Sequence, residues 1–363
     1  MQTISHLSEP AAPLSSGSFS FDNPSIKEFP FTLKDIREAI PEHCFESSAG
    51  RSLSYFFLDI GIITGLYALA YSIHSWFFYP LFWLAQGTMF WALFVVGHDC
   101  GHGSFSKYQW LNNLIGHLSH TPILVPYHGW RISHRTHHAN TGNIDTDESW
   151  YTISEQTYDE MDGLAKAIRY GLFLWAYPFY LFFRSPGRSG SHFLPSSDLF
   201  RPSEKWDVIT STVCCGLFVG FLVWLGFHFG PLFLFTYYVM PYLVFVAWLD
   251  LVTFLHHTEP DIPWYRNESW FFLKGALSTI DRDYGFINNI HHNIGTHVAH
   301  HIFLSMPHYH LKEATEAIKP VLGDYYREAK DSVWTSFWRS ARECIFVDNQ
   351  GQKVYYQSRR TAR

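Results

Sequence analysis

The sequence predicts an all-α membrane protein: four transmembrane helices in two hairpins, with a cytoplasmic helical cap that carries three clusters of histidine. Three observations predict it. Residues 60–97 and 208–249 form two long stretches without any Asp, Glu, Lys or Arg. The basic residues lie outside both stretches, distributed so that one face can collect them all. The chain has 22 His although only 16% of its residues are charged, where a soluble domain carries about 25%. A hydrophobic content of 47% excludes disorder for most of the chain. A net charge of −6 gives a nucleic-acid partner no electrostatic support.

The elements follow in order. Residues 1–26 contain no Lys or Arg and no apolar core, so they read as a polar, Ser/Pro-rich tail, neither a signal peptide nor a transit peptide. Together with a cytoplasmic pre-membrane segment they make up residues 1–54. The first hairpin is 55–97. As one helix its uncharged stretch of 38 residues would run about 57 Å, against a hydrocarbon core about 30 Å thick. Pro80 breaks it into spans near 55–78 and 81–97. Residues 98–206 form a cytoplasmic loop whose shorter apolar pieces, 110–130 and 170–183, suit interfacial or re-entrant helices. The second hairpin is 207–254. Its 42 uncharged residues would run about 63 Å, and Gly230-Pro231 divides them into spans near 207–228 and 232–254. Residues 255–363 return to the cytoplasmic side. Four basic residues lie in 1–54, nine in 98–206 and thirteen in 255–363, with none in the hairpin turns. The positive-inside rule makes that shared face cytoplasmic. Cys44, Cys100, Cys214, Cys215 and Cys344 form no C-x-x-C pair. They suggest a reducing compartment, not a disulfide framework.

The histidines carry the chemistry. HDCGH sets His98 and His102 at i, i+4. HRTHH sets His134, His137 and His138 at i, i+3, i+4, and HVAHH repeats that spacing with His297, His300 and His301. On helices these spacings direct imidazoles to one side. The first cluster opens where the second span ends, the second follows in the same loop, and the third follows the fourth span. All three are therefore expected to converge at one depth, just above the membrane. Eight imidazoles exceed the needs of one metal, since a catalytic zinc takes three protein ligands. A two-metal site fits, and redox-active iron with open positions is the preferred metal. HExxH is absent, which argues against a zincin protease.

The strings HDCGHGSFS from 98, VPYHGWRISHRTHH from 125 and DRDYGFINNIHHNIGTHVAHHIF from 281 resemble the membrane-bound fatty acid desaturases. The likeness runs from about residue 25 to 340. HDCGH, and GTHVAHH followed by MPHYHL, are most similar to the omega-3 (delta-15) acyl-lipid members of cyanobacteria and plastids. The resemblance implies a three-histidine-box di-iron centre of two iron ions (Fe2+) with O2 as co-substrate. The eight box histidines would be its ligands. A further ligand is expected after the last span, where His257 fits better than its neighbour His256, and His292 is a possible additional one. His117, His120, His128, His308 and His310 read as capping, interfacial or tunnel-lining residues. Asp99, Asp147, Asp281 and Asp283 could orient ligand imidazoles, although a surface or helix-end role is the commoner one. Cys100 reads as a small packing residue.

The implied reaction removes two hydrogens from adjacent methylenes of an eighteen-carbon dienoyl (linoleoyl) chain on a membrane glycerolipid, giving the trienoyl form. The chain has no HPGG motif of a fused cytochrome b5. A soluble donor, ferredoxin by resemblance, would supply electrons, with Lys107, Arg131, Arg135, Arg184 and Arg188 as possible steering charges. The expected setting is a cyanobacterial plasma or thylakoid membrane, with the active site on the cytoplasmic face. Other readings stay open at this level: a delta-12 desaturase, a di-iron lipid hydroxylase, a non-catalytic metal-binding or metal-transporting membrane protein, and a haem protein with axial histidines.

Overall fold

The computed structural model describes residues 28–171, 173–184 and 188–359. The tail expected over 1–26 lies outside the described residues. A short helix, α1 (Leu33–Ala39), is closed by a capping box between Thr32 and Asp35. A 3-10 turn at Glu42–Phe45 follows. The long helix α2 (Ala49–Ile73) starts where the Ser48 side chain accepts from the Arg51 backbone N–H. It ends at His74, which takes a left-handed φ of 46°. Helix α3 (Tyr79–His102) has Pro80 in its first turn. Proline is tolerated there because that N–H has no partner in any helix. Pro80 therefore opens the second helix, and the break falls before it.

Helices α4 (Gln109–His120), α5 (Tyr127–Asn140), α6 (Glu155–Glu160), α7 (Gly163–Gly171) and α8 (Tyr177–Phe183) come next. Then α9 (Lys205–Phe229) runs to Gly230, whose φ of 90° ends it. Pro231 starts α10 (Pro231–Leu234), and a π-helical turn joins it to α11 (Met240–His257). The remaining helices are α12 (Phe272–Ala276), α13 (Ile287–Ile290), α14 (His297–Ile302), α15 (His308–Leu322) and α16 (Val333–Glu343). The expectation of an all-α chain omits one feature. Strands β1 (Pro263–Tyr265), β2 (Phe346–Val347) and β3 (Lys353–Gln357) form an antiparallel sheet ordered β1-β3-β2. Such short strands carry too little periodicity to be read.

Four helices are long and apolar enough to cross a membrane: Ala49–Ile73, Tyr79–His102, Pro202–Phe229 and Pro231–His257. They correspond to the four expected spans, with different ends. The first begins six residues before 55, at its Ser48 cap. The second runs to His102 and the fourth to His257, so the first histidine cluster and His257 ride on these helices instead of lying beyond them. Helix α3 is central: 67% of its most apolar window is buried, against 17–28% for the other three. It packs on α2, α4 and α11.

The shorter apolar pieces form separate short helices that expose apolar side chains. Helix α4 exposes Trp110, Leu114 and Leu118 at i, i+4, i+8, and α8 exposes Phe179, Phe182 and Phe183. Helix α5 is held close to the loop after α8 through a glycine. A Cβ on Gly129 would lie 2.1 Å from the His192 carbonyl oxygen. Backbone cannot yield as a flexible side chain does, so Gly129→Ala should destabilise the fold by about 1–3 kcal/mol. A lower midpoint in thermal unfolding of the detergent-solubilised protein checks this.

Candidate metal centre

Four helices bring nine imidazoles together. His98 and His102 project from the end of α3, His134 and His138 from α5, and His300 from α14; one ring nitrogen from each lies within 4.8 Å of the others. His137 of α5, His257 at the end of α11 and His301 of α14 form a second such group. His297 joins it, with Nε2 3.0 Å from Nε2 of both His257 and His301. The groups adjoin: the rings of His138 and His301 are 4.1 Å apart between centroids.

The shared spacing of the second and third clusters now has a reason. Successive helical residues turn by about 100°, so residues at i and i+4 share a direction while the one at i+3 diverges. On α5, His134 and His138 serve the first group and His137 the second. On α14 the roles reverse, with His297 and His301 in the second group and His300 in the first. One HxxHH helix thus contributes to both groups.

The donor set fits metal. His138 Nε2 lies 3.0 Å from His134 Nε2 and 3.2 Å from His300 Nε2. Nitrogens bonded at about 2.1 Å and at right angles around one ion would be about 3.0 Å apart. His102 Nε2 is buried and has no hydrogen-bond partner, as a nitrogen reserved for an ion would be. Burial, then repulsion among the rings, pushes His134, His138, His297, His300 and His301 well below the ordinary imidazole range. They are neutral at physiological pH, the state a metal ligand requires.

Outer partners fix the rings. His137 donates from Nδ1 to Asp147 Oδ1 at 2.7 Å, which leaves Nε2 free. Asp147 is itself held by the backbone N–H groups of Gly142, Ser149 and Trp150. Thr141 Oγ1 lies 3.2 Å from His301 Nδ1. Asp99, next to His98, accepts from His308 Nδ1 at 2.8 Å. Asp281 accepts from the Val298 N–H at 2.7 Å and the Tyr326 hydroxyl at 2.8 Å. Burial raises its carboxyl to about 7 against these donors. So the commoner surface reading fails for Asp99, Asp147 and Asp281, all buried, and holds for the exposed Asp283. Their burial is a tertiary fact with no local sequence signal. Cys100 is buried as a packing residue among apolar neighbours.

Two further candidates are placed elsewhere. His292 stands outside both groups, with Nε2 2.7 Å from Asp59 Oδ2, an α2 residue that the sequence gave no reason to single out. His256 is occupied at both nitrogens, by the Ile280 carbonyl at 2.6 Å and the Tyr284 hydroxyl at 3.2 Å. His117, His120, His128, His308 and His310 also stay out of the two groups; His120, for one, is bound to the Phe94 carbonyl at 3.0 Å. The proposed steering cations are mostly engaged. Arg184 and Arg188 both pair with the buried Glu148. Arg131 pairs with Asp207 and Arg135 with Glu204. These arginines brace the structure around α5, and long-range attraction of a partner is weakened accordingly.

Comparison with known proteins agrees with this chemistry. The family model described as fatty acid desaturase matches residues 74–331. A domain family of unknown function, DUF3474, matches residues 8–68. The chain is 68% identical over 345 residues to the sn-1 acyl-lipid omega-3 desaturase (ferredoxin) of Synechocystis sp., covering 95% of this chain and 96% of that one. It is 62% identical over 349 residues to the protein of the same name from Nostoc sp., covering 94% and 97%. A chloroplastic omega-3 fatty acid desaturase of Ricinus communis is 54% identical over 338 residues, covering 90% of this chain and 74% of that one. With nine clustered imidazoles inside the matched region, the chain belongs to the fatty acid desaturase family and is an oxidoreductase.

Proposed function

We propose that this chain is an acyl-lipid omega-3 desaturase that converts a linoleoyl chain on a membrane glycerolipid into an alpha-linolenoyl chain. The observation that carries the reading is the meeting of nine imidazoles in two adjoining groups, in a chain 68% identical to a named omega-3 acyl-lipid desaturase. His98, His102, His134, His138 and His300 would hold one iron. His137, His257, His297 and His301 would hold the other. Bound iron supplies the dioxygen-dependent redox chemistry that an unactivated C–H bond demands, since no side-chain acid or base can open one. Dioxygen, two electrons, two protons and the acyl chain enter; two waters and the new double bond leave.

The protein's part is position. Asp147 keeps His137 in one tautomer. Trp130 stacks on His134 with centroids 4.5 Å apart, and Trp150 lies 5.9 Å from His257, shielding the site from water. A methylene chain offers no hydrogen bond, so an apolar tunnel must measure its length. In this reading α2–α3 and α9–α11 are two membrane hairpins. Residues 1–54, 98–206 and 255–363 form a cytoplasmic cap over them. A ferredoxin delivers electrons to that cap, and the membrane is a cyanobacterial plasma or thylakoid membrane.

Expression in cells that make linoleoyl lipids but no trienes, with gas chromatography of their fatty acids, tests this. A new alpha-linolenoyl peak is expected. A hydroxylated acid in its place would identify a lipid hydroxylase, and new dienes from monoenes would identify delta-12 chemistry.

A further inference from the structure

A third group of metal-type donors lies apart from the histidine centre. His43 and Cys44 sit in the 3-10 turn Glu42–Phe45, ahead of the first long helix. His310 and Glu313 sit one turn apart on α15. One donor atom from each of the four lies within 4.8 Å of the others. His43 Nε2 is 3.0 Å from Glu313 Oε2 and 3.7 Å from Cys44 Sγ. The His43 and His310 rings meet edge to face at 5.3 Å. Ligands around a tetrahedral zinc ion stand about 3.3–3.6 Å apart, given bonds of about 2.0–2.3 Å. The four donors need only a small adjustment to reach that spacing.

From this geometry we infer a structural site for one Zn2+-like cation, bound by His43, Cys44, His310 and Glu313. The donor chemistry suits such an ion: two imidazoles, one thiolate and one carboxylate. The two anionic ligands cancel its charge. The Cys44 thiol reaches the same His43 nitrogen that pairs with Glu313, and the His310 ring packs on the His43 ring, so the four donors form one cluster. Of the four, only Cys44 is buried. The way in is open, because the His43 and Glu313 side chains are 54% and 51% exposed.

The site would act as a staple. Residues 28–48 pack on α15 through Phe31, Ile36, Ile40, Leu311, Ala314 and Ile318. The same α15 begins at His308, which is bound to Asp99 beside the first metal group. A cation here would pin the segment before the first long helix to the helix that follows the third histidine cluster.

The test uses the full-length protein in detergent, washed with chelator and titrated with Co2+. The histidine centre contains no sulfur, so a thiolate-to-cobalt charge-transfer band in the near ultraviolet reports on a cysteine ligand alone, whatever happens at that centre. The band is expected to saturate with added Co2+, to be displaced by Zn2+ and to be absent in Cys44→Ser. His43→Ala, a change at a half-exposed position, should weaken the Co2+ giving the band by at least about tenfold. No band at saturating Co2+, a band that survives Cys44→Ser, or unchanged affinity in His43→Ala would each overturn the proposal.

Discussion

His300→Ala should abolish trienoyl product, with a fall of at least about a thousandfold by gas chromatography. His300 belongs to the first donor group, and its Nε2 stands 3.2 Å from His138 Nε2. It is buried, and among the described residues no other side chain stands ready to supply its nitrogen. Its loss removes one of five donors and opens a cavity between α14 and α5. Iron per chain should fall with activity while the amount of membrane-inserted protein stays unchanged, because the four long apolar helices are untouched. Normal activity with a full iron complement would remove His300 from the centre and with it the two-group arrangement.

Asp147→Asn should lower iron affinity or activity by about 10–100-fold, the usual effect of losing an outer partner of a ligating histidine. The carboxylate accepts from His137 Nδ1 at 2.7 Å and holds the tautomer that leaves Nε2 available. An asparagine keeps the size and can still accept at one oxygen, but it loses the charge that strengthens this hydrogen bond. Asp283→Asn is the matched control: Asp283 is exposed, and its partners are the Gly285 N–H and the Asn288 amide, both remote from the two groups. Measuring iron per chain alongside product separates the two roles. A loss of iron in Asp147→Asn alone supports positioning of His137; equal behaviour of both variants would make Asp147 merely structural.

The cluster was legible in the sequence because its histidines come in helical spacings. Eight histidines in three short strings, together with His257 at the end of a long apolar run, are the nine that meet in space. His292 shows the limit of such reading. It precedes the third string by only five residues, yet its backbone turns through a left-handed φ of 50° and its ring goes to Asp59. No spacing rule foresees that turn. The same limit applies to charge. Arg184 and Arg188 read as free cations along the chain, and folding pairs both with Glu148.

By itself, the sequence determined the four long apolar helices, a break close to Pro80 and one at Gly230-Pro231, and the family, since hydrophobic length, proline chemistry and motif strings are local properties. Only the tertiary structure decided how the imidazoles divide between two groups. It also decided that Asp99, Asp147 and Asp281 lie buried beside ligand-bearing turns, and that His43 and Cys44 meet His310 and Glu313 across more than two hundred and fifty residues of chain. The reason is physical. A helix fixes the direction of each side chain relative to its own axis, but which direction meets a partner depends on how α3, α5, α11 and α14 pack against one another.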